Sequence, residues 1–262
     1  MLIDDISAVA QEAGEIILSA HDLTVKSKPG TANFVTDYDI RVQQFLQEGL
    51  LAILPDAHFV GEENDCTDDV FHGYAFIVDP IDGTTNFIRD YRASSISIGL
   101  SLDGEIIMGV VYDPYRHELF TAEKGHGAFL NRQAIHVAAN PLSNSIICLG
   151  TTSYDRSKTD LTFTLARRLF DAALDLRRSG SFALDACAVA CGRADLAFEA
   201  TLNPWDYAAV SCILQEAGGK MSQLDSTPIR LDRPGSIVCG SAIAYREFFD
   251  NEFWKIKHTP FS

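Results

Sequence analysis

Phe76-Ile77-Val78-Asp79-Pro80-Ile81-Asp82-Gly83-Thr84-Thr85-Asn86-Phe87 is an apolar run that ends in acids. Phe76 to Val78 reads as the close of a strand that begins at Tyr74. Pro80 offers no backbone N–H and is expected to halt ladder pairing, with Asp79 and Asp82 on either side of it. Gly83-Thr84-Thr85 can open a helix whose unpaired N–H groups suit an anion. The stretch therefore sets carboxylates beside a phosphate seat. Read alone, Asp82 serves equally well as a helix N-cap and Asp79 as a turn former.

Working outward, the spacing of Ile3, Ile6, Val9, Ala10, Ala13, Ile16 and Ile17 predicts an amphipathic helix. A second helix is expected after Asp39, with Val42, Phe45, Leu46, Leu50 and Ile53 inward and Pro55 closing it. Past Gly73 come short β-like runs at 74–78, 95–100, 106–112 and 118–122. Asp103-Gly104 between two of them signals a hairpin, and Gly125-x-Gly127 another reversal. Beyond Ala138-Ala139-Asn140-Pro141 the pattern changes to strands alternating with helices, at 145–149, 161–169, 182–191 and 205–217. A boundary there divides an α+β half, 1–138, carrying most of the acids, from an α/β half, 139–262, carrying Asp206. Two layered halves sharing one cleft are expected.

Of the 262 residues, 47% are hydrophobic and 22% charged, a balance that supports a sizeable core. Ile16-Ile17-Leu18 is too short for a signal core or a membrane span, so a cytoplasmic protein without membrane contact is expected. Cys66, Cys148, Cys187, Cys191, Cys212 and Cys239 form no CxxC pair, which disfavours a zinc site or disulfide framework; reduced thiols fit better. A net charge of −15 disfavours nucleic acid, which needs clustered Lys and Arg. A two-metal nuclease is set aside because no basic groove or aromatic series would gather a strand. An acidic protein that handles an anion needs cations between the two.

Other acids can meet the central pair. Glu62-Glu63 follows Gly61 after an apolar run, and Asp206 follows Trp205 where a helix begins. Solvated loop acids and one more N-cap are the plainer readings. Magnesium takes oxygen ligands, usually one or two carboxylates with water and substrate phosphate completing the octahedron. Two like charges about 4 Å apart repel by about 4 kcal/mol at an effective dielectric near 20. A converging set of acids is consequently a metal site.

Gly61-Glu62-Glu63, the 79–87 stretch and Trp205-Asp206-Tyr207-Ala208-Ala209 together resemble the three signature segments of the inositol monophosphatase family, in order and separation. The resemblance runs from the first helix to about Gly240. It implies the layered αβαβα sandwich of the inositol monophosphatase and fructose-1,6-bisphosphatase type, commonly as a homodimer. It further implies that Glu62, Asp79 and the Ile81 carbonyl bind one Mg2+ while Asp79, Asp82 and Asp206 bind a second. A third, weaker ion would sit near Glu62 through waters. Thr84 and Asp39, the latter in Asn33-Phe34-Val35-Thr36-Asp37-Tyr38-Asp39, match positions that orient the attacking water, giving Glu62, Thr84 and Asp39 as catalytic residues. Thr36-x-x-Asp39 also satisfies a capping box. Lys26 or Lys28 corresponds to a family lysine near the site.

The implied reaction is magnesium-dependent, lithium-sensitive hydrolysis of a small phosphate monoester, inositol monophosphate foremost. The N–H groups at Gly83 and Thr84 would hold phosphate oxygens, and Asp82 and Asp206 are further substrate-binding candidates. Gly180-Ser181-Phe182 resembles the family's substrate loop, and Glu199 matches an acid that bonds a sugar hydroxyl. Phe182 stands where a small residue is common, and Ile88-Arg89-Asp90 replaces a His-Gly pattern, so strict inositol specificity is open. Arg89 and Arg92 could meet a second phosphate, as in fructose 1,6-bisphosphate or adenosine 3',5'-bisphosphate, although pairing with Asp90 explains them more simply. A regulatory or binding protein that keeps only the fold is the reading of another class.

Overall fold

The computed structural model describes residues 1–28, 31–63 and 68–256. The chain opens with helix α1 (Leu2–Leu18), burying Ile6, Ala10, Ala13 and Ile17 as the spacing predicts. A two-stranded ribbon, β1 (Val25–Ser27) and β2 (Phe34–Thr36), leads into α2 (Asp37–Ile53). That helix starts two residues before Asp39, because the Thr36 hydroxyl accepts from the Tyr38 and Asp39 N–H groups and closes a capping box.

Strand β3 (His58–Gly61) lies parallel to β4 (Tyr74–Asp82), and α3 (Thr84–Ile88) follows at once. Then β5 (Ser95–Leu102), β6 (Glu105–Asp113), β7 (Glu118–Glu123), β8 (Ala128–Leu130) and β9 (Gln133–Ile135) add antiparallel neighbours in sequence order, giving a seven-stranded sheet. Asp103 and Gly104, at φ 50° and 82°, turn β5 into β6 as the dipeptide signals. Pro80 does not end the ladder. Pairing passes from Asp79↔Ser97 to Asp82↔Ser95, so Pro80 and Ile81 face one residue in a bulge where no N–H is needed.

The remainder builds a five-stranded sheet, ordered β11-β10-β12-β14-β13. Its strands are β10 (Ile146–Leu149), β11 (Asp175–Arg177), β12 (Leu196–Leu202), β13 (Lys220–Ser222) and β14 (Gly235–Gly240). Three helices intervene, α4 (Thr159–Ala172), α5 (Phe182–Ala190) and α6 (Pro204–Glu216), and α7 (Ala242–Asp250) follows the last strand. Three apolar clusters fix the layers. One joins α1 and α2 to Phe76, Val78, Ile98 and Val110 on the large sheet. A second places α5 and α6 between the sheets, against Ile77 and Val111 on one side and Ala197 and Cys239 on the other. A third sets α4 and α7 on the far face, over Ile147, Leu196 and Val238. The order is helices, sheet, helices, sheet, helices, the expected αβαβα sandwich. The described cysteines carry free thiols, and Cys66 lies outside the described residues.

One contact sets the depth of the middle layer. Gly99 and Gly109 face each other across β5 and β6. A Cβ on Gly99 would stand 2.9 Å from Ala208 Cβ, and one on Gly109 2.1 Å from the Ala209 carbonyl oxygen. Two glycines against two alanines thus let α6 lie directly on the sheet. Gly109→Ala pushes first against the Ala209 backbone, which cannot swing aside as a side chain can, and should destabilise the fold by about 1–3 kcal/mol. An unchanged urea midpoint for that variant would show that α6 is not seated as described.

Candidate active site

The bulged end of β4, the start of α3 and the N-termini of α5 and α6 open onto one cavity of about 380 Å3. It is lined by Glu62, Asp79, Ile81, Asp82, Gly83, Thr84, Gly180, Ser181, Phe182, Glu199 and Asp206. Every site residue chosen from the sequence is among them except Asp39, which is fully buried behind Thr84.

Local structure explains how each acid is aimed. Glu62 lies just past β3, its N–H still bonded to the Val78 carbonyl at 3.3 Å. Asp79 Oδ1 accepts from the Ile81 N–H at 3.0 Å, the turn contact read from the sequence. Asp82 does not cap the helix that follows it, where Gly83 at φ 96° holds the N-cap position. It reaches the other half of the chain instead, accepting from Ser181 Oγ at 2.5 Å and the Ala183 N–H at 2.8 Å. Asp206, at N3 of α6, accepts from the Asn203 N–H at 2.7 Å in a second capping box. Asp39 likewise both caps and reaches inward: Oδ2 accepts from the Thr36 N–H at 2.7 Å, while Oδ1 lies 3.2 Å from Thr84 Oγ1. The Thr84 hydroxyl also stands 3.3 Å from the Ile81 carbonyl, and its one proton serves one of these acceptors at a time.

Several contacts were hidden from sequence reasoning. Lys28, not the exposed Lys26, enters the cavity, its Nζ 2.9 Å from Glu62 Oε1 and 2.5 Å from Glu63 Oε1. Burial works to lower the Lys28 pKa, but the charge of Glu62 and the bonds to both acids outweigh it and hold the ammonium above its usual range. Asn86 ties the Ala93 and Ser179 carbonyls together at 2.7 and 2.9 Å, closing the seam between the two sheets' loops. Glu199 Oε1 is engaged by the Thr152 N–H at 2.7 Å, and a Cβ on Gly150 would lie 1.8 Å from Oε2. Arg89 and Arg92 are exposed and neither lines the cavity; Arg92 pairs with Asp90 at 3.1 Å. Arg178 lines it instead.

The acids shift one another's protonation. Burial, then Glu62, Asp82 and Asp206, push the Asp79 pKa well up, and burial, then Asp82 and Glu62, do the same to Asp206. Burial carries Asp82 to about 6 against its bonds to Ser181 and Ala183. Each acid lies in the field of the others, so the cavity holds negative charge in excess of its protein counter-ions. Among the described residues no three acid, imidazole or thiol groups close on one point as a cage would. A donor set of separated carboxylates and one carbonyl around an open cavity suits a hydrated, oxygen-seeking dication such as Mg2+, which keeps several waters.

The model of the inositol monophosphatase family matches residues 2–257. An inositol-1-monophosphatase of Rhizobium meliloti is 36% identical over 235 residues, covering 89% of this chain and 86% of its own. The Nus factor SuhB of Escherichia coli is 34% identical over 217 residues, 81% of each chain. The crystal structure of the extragenic suppressor protein suhB from Bartonella henselae superposes with a TM-score of 0.88 at 30% identity, covering 96% of this chain and 97% of that one. Fold and relatives define a phosphoric monoester hydrolase. The chain belongs to the inositol monophosphatase family.

Burial raises Asp39 and Asp82 to about 6 and Glu63, Asp185 and Glu199 to about 7. An acid whose folded pKa exceeds its unfolded one binds its proton more tightly in the folded state. In chelator, stability should therefore be retained near the unfolded carboxyl range and fall as the medium passes from about pH 5 to about pH 8. A Tm that climbs over this interval would contradict the burial of these acids.

Proposed function

We propose that the chain hydrolyses a small phosphate monoester of a polyol, inositol monophosphate first, with two to three Mg2+ per site. The observation that carries this reading is the meeting of Glu62, Asp79, Asp82 and Asp206 with the Thr84–Asp39 pair on one cavity. Glu62, Asp79 and the Ile81 carbonyl would hold one ion, Asp79, Asp82 and Asp206 a second, and Glu62 a third through water. Magnesium, when bound, supplies Lewis acidity, lowers the pKa of water and neutralises a leaving alkoxide.

The chain's own groups do the positioning. When the Thr84 hydroxyl donates to Asp39, its lone pairs are left to accept from a water, which orients that water toward phosphorus. The N–H groups at Gly83 and Thr84, at the positive end of α3, would hold phosphate oxygens as charge develops. Ser181 and Phe182 form the facing wall, and Glu199, with one oxygen bound to Thr152, has the other to offer a polyol hydroxyl. The relative named inositol-1-monophosphatase supports the substrate choice. A protein that kept only the fold for a binding role would have no need of this full set of acids.

Glu62 is the cleanest residue to test, since its side chain bonds Lys28 and caps no helix, whereas Asp82 also fastens Ser181 and Ala183. Glu62→Gln should lower kcat for inositol 1-phosphate on the order of a hundredfold with little change in Tm. Phosphate release at the parental rate, with or without Mg2+, would refute the assignment. Mg2+ should raise the Tm of chelator-treated protein more at pH 8 than at pH 5, because the ionised acids are then at their most repulsive. Lithium should inhibit turnover at about millimolar concentration, as the second ion position implies; resistance to much higher concentrations would show that this position differs from the one described.

A further inference from the structure

Glu62 is anchored unlike the other acids of the cavity. Asp39, Asp82 and Asp206 each accept a backbone N–H at or beside a helix start, whereas Glu62 follows the last residue of β3. On its N-terminal side the Glu62 N–H reaches the Val78 carbonyl at 3.3 Å. On its C-terminal side the chain is held by a side chain, that of Gln43 on α2.

Gln43 is 3% exposed, and both ends of its amide are used. Oε1 accepts from the Glu63 N–H at 2.8 Å, and Nε2 donates to the Glu63 carbonyl at 2.7 Å. Among the described residues β3 is an edge strand of the large sheet, so the amide satisfies two backbone groups that no neighbouring strand takes. The fit leaves no room for a side chain two residues back. A Cβ on Gly61 would stand 2.7 Å from Gln43 Cδ, with the edge of the Phe59 ring 3.0 Å away. The glycine of Gly61-Glu62-Glu63 is the space into which the amide fits.

Gln43 lies one helical turn beyond Asp39, on the same face of α2. Asp39 Oδ1 stands 3.2 Å from Thr84 Oγ1, so one turn of helix holds the water-orienting pair and the Glu62 segment in a fixed relation. Lys28 bonds the carboxylates of Glu62 and Glu63 from a flexible stem; Gln43 fixes the backbone that carries them. Gln43 is not among the residues that line the cavity, so it acts through the segment it holds.

We infer that Gln43 is a positioning residue for Glu62, and that through it α2 sets the Mg2+ affinity of the ion positions that Glu62 serves. The inference rests on the reading of Glu62 as a Mg2+ ligand in the proposed hydrolase.

The test is a calorimetric Mg2+ titration of metal-stripped, substrate-free protein in the parent chain, Gln43→Met and Gln43→Glu. Methionine fills nearly the same volume without the two bonds, and should raise the Mg2+ Kd by about ten to a hundredfold. Glutamate keeps an oxygen that accepts from the Glu63 N–H and should lose less. With Mg2+ then supplied at saturation, KM for inositol 1-phosphate in Gln43→Met should stay within about threefold of the parent, a split that general loosening of the fold would not give. Gly61→Ala is the second variant, because it expels the amide while leaving Gln43 in the chain. It should weaken Mg2+ binding as Gln43→Met does, and cost less than about threefold when added to Gln43→Ala, where the space is already vacated. An unchanged Mg2+ Kd in Gln43→Met, or fully additive losses from Gly61→Ala and Gln43→Ala, would overturn the inference. A parent chain that bound no Mg2+ would overturn the metal reading and this inference together. A parent that bound Mg2+ but released no phosphate would overturn the hydrolase reading alone, and the calorimetric Kd values would still decide on Gln43.

Discussion

Like charge is concentrated at one edge of the large sheet, opposed among the described residues by backbone dipoles, the Lys28 ammonium and the Arg178 guanidinium on the cavity wall. Asp39, Asp79 and Asp82 are buried, Glu62 and Asp206 half-buried, and the other four all raise the pKa of Asp79. Three helices, α2, α5 and α6, begin at this place, and each offers a backbone N–H of its first turn or cap to one of the acids. A carboxylate at a helix N-terminus gains about 0.3–1 kcal/mol. A pair of carboxylates about 4 Å apart loses about 4 kcal/mol at an effective dielectric near 20. The dipoles therefore orient the acids but do not neutralise them, a setting that suits the hydrated dication proposed for the site. The same side chains end helices and face the cavity, which couples folding to the charge state of the site.

The sandwich makes that crowding possible. Residues of the cavity come from β4 and the segment just past β3 on one sheet and from β12 on the other, with the helix layer between the sheets adding Ser181 and Asp206. Asp206 arrives at its depth because α6 rests on two glycines, so the Trp205-Asp206-Tyr207-Ala208-Ala209 segment has two faces. Asp206 looks into the cavity while Ala208 and Ala209 touch the sheet. Larger residues at either alanine would lift the acid away from Asp79 and Asp82. The bulge at Pro80 acts from the opposite side, shifting the register by one residue so that Asp79 and Asp82 both reach the cavity although they stand three positions apart along the strand.

Local pattern carried much of this. Period 3.6 in α1, the Asp103-Gly104 turn and the Thr36 capping box depend on neighbours a few residues apart, and all were legible. So was the central acid motif, because strand, bulge and helix start are contiguous. What escaped depends on partners far along the chain. Asp82 to Ala183 spans 101 residues, Lys28 to Glu63 35 and Asn86 to Ser179 93. Pro80 misled because a missing N–H says that pairing is interrupted and does not say whether the strand resumes. Arg89 and Arg92 follow the simpler of the two sequence readings, exposed and outside the cavity lining, with Arg92 paired to Asp90, because that pairing is again local.

The wall that carries Arg178 is also the strained one. Thr152 has φ 43°, a left-handed conformation that a β-branched residue adopts at a cost of about 1–3 kcal/mol. Such strain persists where surrounding contacts over-determine the backbone. Here Glu199 supplies them, accepting from both the Thr152 N–H and, at 3.3 Å, its hydroxyl. With Thr152 fixed, the hydroxyl of Thr151 is fixed as well, and it is the partner that orients the Arg178 guanidinium. A buried acid on the floor of the cavity is thus linked to an exposed cation on its rim through one strained residue, Thr152, and its neighbour Thr151.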